Sequence, residues 1–176
     1  GKSTTTTLIY LMLKKAGFKV HLTGNIGQPL VSFIPKVKPG HLVVTELSSF
    51  QLEFTEKFRT DISVFLNISP NHLDWHRTFE AYLQAKKKLF DHSQPEDQVI
   101  LNRDDPHLWA WRQEKRQELY AFSRKHSVPR GCYLQGSKII LKLGEEIPVI
   151  DVKDIRLRGV HNQENVMAAI LAARLA

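Results

Sequence analysis

Three buried-type runs, His41-Leu42-Val43-Val44-Thr45, Ile62-Ser63-Val64-Phe65-Leu66 and Val99-Ile100-Leu101, recur along this chain with helical segments between them. A strand that is apolar along its whole length needs cover on both faces. Strands separated by helices run parallel, with the helices supplying that cover. The pattern therefore predicts an α/β domain: a mostly parallel sheet flanked by helices. In such sheets ligands collect beyond the C-terminal ends of the strands. Here those ends carry Asn25, Glu46, Ser48, Asn71, His72, Asp74, Asn102 and Asp104.

The remaining elements follow from periodicity and punctuation. A helix is expected over 3–15, closed by Gly17 after Lys14-Lys15. A short strand over 18–22, a short helix over 30–34 and a helix over 50–55 come next. A longer helix spans about 78–92, and Pro106 starts the helix holding Trp109 and Trp111. Residues 119–122 form another strand. Between 131 and 158 the pattern becomes short alternating strands with turns at Gly136-Ser137 and Gly144-Glu145, a small antiparallel hairpin region. A last helix begins near Asn162.

With 176 residues the chain is long enough for one domain with a real core. No apolar stretch reaches the roughly 20 residues that span a bilayer, so no membrane role is expected. The single cysteine, Cys132, has no internal partner and reads as a strand residue in a reducing, cytoplasmic setting. The net charge of +7 suits anionic ligands, nucleic acid included. The positive groups are scattered over helix ends and loops, as solvated faces are, so nucleic acid is not the expected partner.

The chain opens Gly1-Lys2-Ser3-Thr4 and runs on into an apolar helix. Gly-Lys-[Ser/Thr] at a helix start is the second half of a phosphate cradle: backbone N–H groups face phosphates, the lysine neutralises them, and the hydroxyl reaches a Mg²⁺. A helix cap explains the same four residues. The motif implies a strand and a glycine ahead of Gly1, so the chain is expected to be a piece of a longer enzyme. Glu46, directly after an apolar strand, has the placement of the acid that holds Mg²⁺ in phosphate-loop enzymes, or of an acid at a helix start. Ser48 and Ser49 suit helix caps as well as a site. His72, with Asp74 and His76, allows a metal or phosphate contact, without zinc-type spacing. Asn162 and Asn165 stand at the start of the last helix, as cap or as pocket lining.

Lys86 is the most instructive residue. At helical spacing its neighbours are Tyr82, Leu83, Leu89 and Phe90, whereas Lys87 meets Glu80, Leu83, Gln84, Phe90 and Asp91, and Lys88 meets Ala81, Gln84, Asp91 and His92. Lys86 alone of the three is expected on the apolar face. Burial favours the neutral amine, which reacts with electrophiles including CO₂. A lysine that packs its stem and sends its ammonium to water has the same spacing.

Taken together, Gly1-Lys2-Ser3-Thr4, Gly24-Asn25-Ile26-Gly27, Glu46-Leu47-Ser48-Ser49-Phe50-Gln51-Leu52-Glu53, Asn71-His72-Leu73-Asp74, Ala81-Tyr82-x-x-Ala85-Lys86, Asn102-x-Asp104-Asp105 and Gly159-x-His161-Asn162-x-x-Asn165 resemble the central ATPase domain of the Mur ligases. The resemblance covers nearly the whole chain. The Glu46–Glu53 block and the Gly24–Gly27 loop are similar to the branch that adds D-glutamate. It implies a phosphate-loop domain lying between an N-terminal uridine-nucleotide domain and a C-terminal amino-acid domain, neither of which is within 1–176. It also implies ATP-dependent amide ligation: UDP-N-acetylmuramoyl-L-alanine is activated as an acyl phosphate, and D-glutamate attacks it. By the same resemblance Gly1, Lys2, Ser3, Thr4, Asn162 and Asn165 serve ATP. Ser3 and Glu46 hold one Mg²⁺, and His72 and a carbamylated Lys86 a second. Asn25, Ser48, Gln51 and His72 contact the muramoyl substrate, in a monomeric protein. A sister Mur ligase, a folylpolyglutamate-synthase-like ligase, a metabolic kinase and a nucleic-acid-binding ATPase are the alternatives.

Overall fold

The computed structural model describes residues 1–70, 73–114 and 119–176, so Asn71 and His72 lie outside the described residues. Helix α1 (Lys2–Lys15) leads to β1 (Val20–Gly24), which pairs in parallel with β2 (Leu42–Glu46) through Val20↔Leu42 to Gly24↔Glu46. Two 3₁₀ turns, Leu30–Ser32 and Ile34–Lys36, stand where the short helix was expected, with Pro35 inside the second. After α2 (Ser49–Glu53), a six-stranded sheet is built in chain order from β3 (Ile62–Phe65), β4 (Gln98–Asn102), β5 (Leu119–Ser123), β6 (Gly131–Gln135), β7 (Lys138–Lys142) and β8 (Glu146–Asp151). Its first four strands are parallel and its last two antiparallel. The parallel part and the hairpin region are thus both present, but the parallel strands fall into two sheets, β1–β2 and β3–β6.

Helices α3 (Leu73–His76), α4 (Phe79–Asp91), α5 (Pro106–Ala110) and α6 (Val160–Leu175) complete the described order. Three layers result. On one face of the larger sheet α1 and α6 bury Ile9, Leu13, Met167 and Leu171 against Ile100, Phe122 and Ile139. On the other, α2, α4 and α5 bury Leu52, Phe90 and Leu108 against Phe65, Val99 and Leu101. Cover on both faces is the physical reason these strands tolerate an unbroken apolar sequence. Cys132 is a buried β6 residue whose thiol is pushed up to about 12 by burial, so it is inert.

Boundaries differ where local signals compete. β1 starts two residues later than expected, because Phe18 belongs to the close of α1: its N–H reaches the Leu13 carbonyl. α6 begins at Val160, ahead of Asn162, since Gly159 takes the turn at φ 96°. The helix from Pro106 ends at Ala110, and Trp111 starts a 3₁₀ turn.

Candidate active site

Between β2 and β3, with the start of α1 alongside, lies a cleft of about 1080 Å³. Gly1, Lys2, Glu46, Tyr82 and Lys86 all line it. α1 has no side-chain cap and no acid in its first turn, and Gly1, Lys2 and Ser3 are exposed. Its first-turn N–H groups are therefore available to an anion, with the positive end of the helix dipole behind them. The hydroxyls one turn further in serve the fold instead: Thr6 Oγ1 donates to the Lys2 carbonyl at 2.9 Å.

Glu46 is the last residue of β2 and is buried. Asn25 Nδ2 donates to its Oε1 at 3.2 Å, and Asn25 N–H donates to its carbonyl at 2.9 Å. The turn that allows this needs Gly24. At φ 102°, a Cβ there would stand 2.2 Å from the Glu46 carbonyl oxygen. Asn25 thus holds Glu46, an arrangement the sequence did not suggest. Glu46 Oε2 is buried and has no hydrogen-bond partner among the described residues. An unpaired buried carboxylate oxygen on a phosphate-facing cleft fits a divalent cation, which would restore the lost solvation. No group of three or more His, Cys, Asp or Glu among the described residues forms a ready-made cage.

Lys86 is half-buried on α4, its ammonium 4.9 Å from the centre of the Tyr82 ring. Burial lowers its pKa, and the Asp105 carboxylate partly opposes the shift. Asp105 is itself occupied, accepting from Ile68 N–H at 2.6 Å and from His107 and Leu108 N–H at 3.0 Å each. Burial raises the Tyr82 hydroxyl pKa, and the Lys2 ammonium pulls it down. Tyr82 therefore stands between two lysines that face the cleft, a residue the motif contained but to which no site role was given. Lys86 was the one of the three lysines expected on the apolar face, and the other two have polar partners. Lys87 reaches Glu114 at 2.5 Å, and Lys88 Nζ donates to the Glu53 and Thr55 carbonyls at the end of α2. Lys86 differs in lining the cleft.

Other expected site residues are placed with internal partners. Ser48 and Gln51 form a reciprocal capping box on α2: Gln51 N–H donates to Ser48 Oγ at 3.3 Å, and Ser48 N–H to Gln51 Oε1 at 2.9 Å. Asn165 is buried and accepts from Thr5 Oγ1 at 3.1 Å. Its Nδ2 donates to Asn162 Oδ1 at 2.8 Å, and Asn162 donates to the Arg158 carbonyl. The amides join α6 to α1. Arg124, just past β5, ties that strand end to α6: it bonds Gln163 at 3.2 Å and lies 3.6 Å from Glu164. The expected roles of Asn71 and His72 fall outside the described residues.

Comparison with known proteins agrees with this arrangement. The Mur ligase middle domain matches residues 1–173. A UDP-N-acetylmuramoylalanine--D-glutamate ligase from Symbiobacterium thermophilum is 43% identical over 180 residues, covering 100% of this chain and 39% of the relative. One from Thermoanaerobacter pseudethanolicus is 39% identical over 176 residues, covering 99% of this chain and 39% of the relative. The chain thus spans about two fifths of the length of these relatives. Among solved structures, a UDP-N-acetylmuramoyl-L-alanyl-D-glutamate--2,6-diaminopimelate ligase matches 97% of the chain and 40% of its own, with a TM-score of 0.72 at 21% identity. MurF ligase from Thermotoga maritima in complex with ADP matches 99% of the chain and 43% of its own, with a TM-score of 0.68 at 19% identity, so both show the shared fold. Family match, near full-length identity and fold together make this chain a member of the Mur ligase family, corresponding to its middle domain.

Proposed function

We propose that the chain is the ATP-handling domain of an enzyme that joins D-glutamate to UDP-N-acetylmuramoyl-L-alanine in cytoplasmic peptidoglycan precursor synthesis. The observation that carries this reading is the cleft itself. It gathers an uncapped helix start with Lys2, the unpaired Glu46 Oε2 and Lys86, whose pKa burial lowers, in a chain 43% identical to a D-glutamate ligase. The muramoyl carboxylate attacks the γ-phosphorus of ATP and ADP leaves. The D-glutamate amine then attacks the acyl carbon, and the tetrahedral intermediate expels phosphate to leave the amide.

In this scheme Lys2 and the first-turn N–H groups of α1 steady the transferring phosphoryl group. Ser3 and Glu46 hold one Mg²⁺, and His72 with Lys86 a second; such ions neutralise charge building on the phosphate oxygens. Lys86 suits that task as a carbamate: its neutral amine adds CO₂ and releases one proton, turning a would-be cation into an anionic ligand. Asn25, Ser48, Gln51 and His72 face the muramoyl substrate, and Asn162 and Asn165 the nucleotide side. Domains for the uridine nucleotide and the amino acid flank this one, and the whole enzyme acts as a monomer. Among the described residues no helix is long and apolar enough to cross a membrane.

The test is phosphate release by the full-length enzyme. Release should require ATP, UDP-N-acetylmuramoyl-L-alanine and D-glutamate together, with a matching amount of amide product. Turnover with another amino acid and none with D-glutamate would reassign the chain to a sister ligase.

A further inference from the structure

One buried polar chain belongs to none of these roles. His76, the last residue of α3, is 5% exposed, and Ser49, the first residue of α2, is 4% exposed. His76 Nε2 and Ser49 Oγ are 2.9 Å apart. His76 Nδ1 is buried without a hydrogen-bond partner among the described residues, and the Glu53 carboxylate stands 3.8 Å from it. Trp75 Nε1 donates to that same carboxylate at 2.8 Å. Phe50 stacks on the imidazole at 5.6 Å with 7° between the planes, and Tyr82 meets it edge-on at 5.6 Å.

Three elements therefore converge on one ring: the first turn of α2, the end of α3, and α4 through Tyr82. A carboxylate beside Nδ1 favours the proton there, because the opposite tautomer would turn a lone pair toward negative charge. Nε2 is then the acceptor, and the Ser49 hydroxyl donates to it. Serine, histidine and glutamate in this order have the composition of a nucleophilic triad. Ser49 is too well buried to meet a substrate, so the set anchors rather than attacks.

We propose that His76 is a positioning residue: through Ser49 it fixes the first turn of α2, and with it the adjoining Ser48–Gln51 pair, at the angle the muramoyl substrate needs. Glu46 is held separately by Asn25, so nucleotide binding does not depend on this anchor. The inference rests on the ligase reading and names a further residue for that reaction.

In the full-length ligase, His76→Phe keeps the ring stack and removes the bond, while His76→Gln keeps a polar atom near the Nε2 position. Ser49→Ala removes the same bond without touching the ring. His76→Phe and Ser49→Ala should each raise the muramoyl KM about tenfold, the equilibrium worth of one buried hydrogen bond. The KM for ATP should stay within about twofold, which loss of that one contact would not move. His76→Gln should recover most of the loss, and the double variant should be no worse than either single one. An unchanged muramoyl KM in folded Ser49→Ala, or additive losses, overturns the proposal. If the wild-type enzyme shows no D-glutamate-dependent turnover, the ligase reading fails on its own. Nitrogen-15 NMR of the imidazole tests the anchor separately: a proton on Nδ1 supports it, and a proton on Nε2 overturns it.

Discussion

Lys86 stands apart among the residues of this cleft, because its surroundings disfavour the charge that a lysine ordinarily carries. Burial lowers its pKa from the usual 10.5, and no described carboxylate pairs with it directly, since Asp105 spends its oxygens on backbone N–H groups. Two predictions follow from that imbalance. In the whole ligase, Lys86→Ala should abolish turnover, and small carboxylic acids should restore part of it by supplying the anionic group a carbamate would provide. Wild-type activity in Lys86→Ala would remove Lys86 from the mechanism. The second prediction concerns stability. Between the lowered folded pKa and about 10.5 the unfolded chain binds more protons than the folded one, so this residue's contribution improves as pH rises through that window. Lys86→Met should therefore be more stable than the parent at neutral pH, with the gap closing toward pH 10.5. Thermal melts across that range read it directly, and a gap independent of pH would show that Lys86 keeps its proton. The inward face of Lys86 was legible from helical spacing alone. The carbonyl contacts of Lys88 were not, because they depend on α2 ending beside α4, a tertiary fact with no local signature.

Helix starts show which local signals carry through to structure. Thr78 caps α4 by accepting from Ala81 N–H at 3.1 Å, and Asp105 caps α5 just before Pro106. Both elements were legible, since a cap residue followed by helical spacing or by proline leaves few alternatives. The two caps should nevertheless differ in worth. Thr78→Ala removes one partly exposed bond and should cost about 1 kcal/mol. Asp105→Ala also strands the Ile68 N–H, which donates to it at 2.6 Å in a 7%-exposed residue, and should cost about 3 kcal/mol. Chemical denaturation of both variants checks the ranking, and equal losses would mean that the tie between α5 and the loop after β3 carries no energy. That tie joins residues 37 apart in sequence, as the Asn25–Glu46 bond joins residues 21 apart. Motif reading found Asn25, Glu46 and Asp105 and missed both bonds, because pairing across a fold is not written in spacing.

At the scale of the whole molecule, the division of the parallel strands into two sheets explains the part of the cleft between the β2 and β3 edges, as distinct from its end at Glu46 and the start of α1, and argues for what fills that part. β2 ends one sheet and β3 begins the other, so each turns an unpaired edge toward the space between them. Thr45 Oγ1, Thr60 Oγ1 and Ser63 Oγ line that space, buried and without hydrogen-bond partners among the described residues. Val43, an apolar residue of β2, is 38% exposed beside this edge. Unpaired edges with apolar flanks are templates for a further strand. Five extended residues reach about 17 Å, enough to run the length of β2. The phosphate-loop motif places a strand directly before its helix, and α1 starts at this cleft. A longer chain carrying an apolar strand ahead of Gly1 should therefore join β2 to β3 as one continuous sheet. Hydrogen exchange would read it: the cleft-facing amides of β2 and β3 should exchange at least about a hundredfold more slowly in the longer chain, while those inside β4 and β5 change little. Equal protection in both chains would mean that β2 and β3 close on each other without an intervening strand. The phosphate-binding turn would then have to be held by α1 and Glu46 alone.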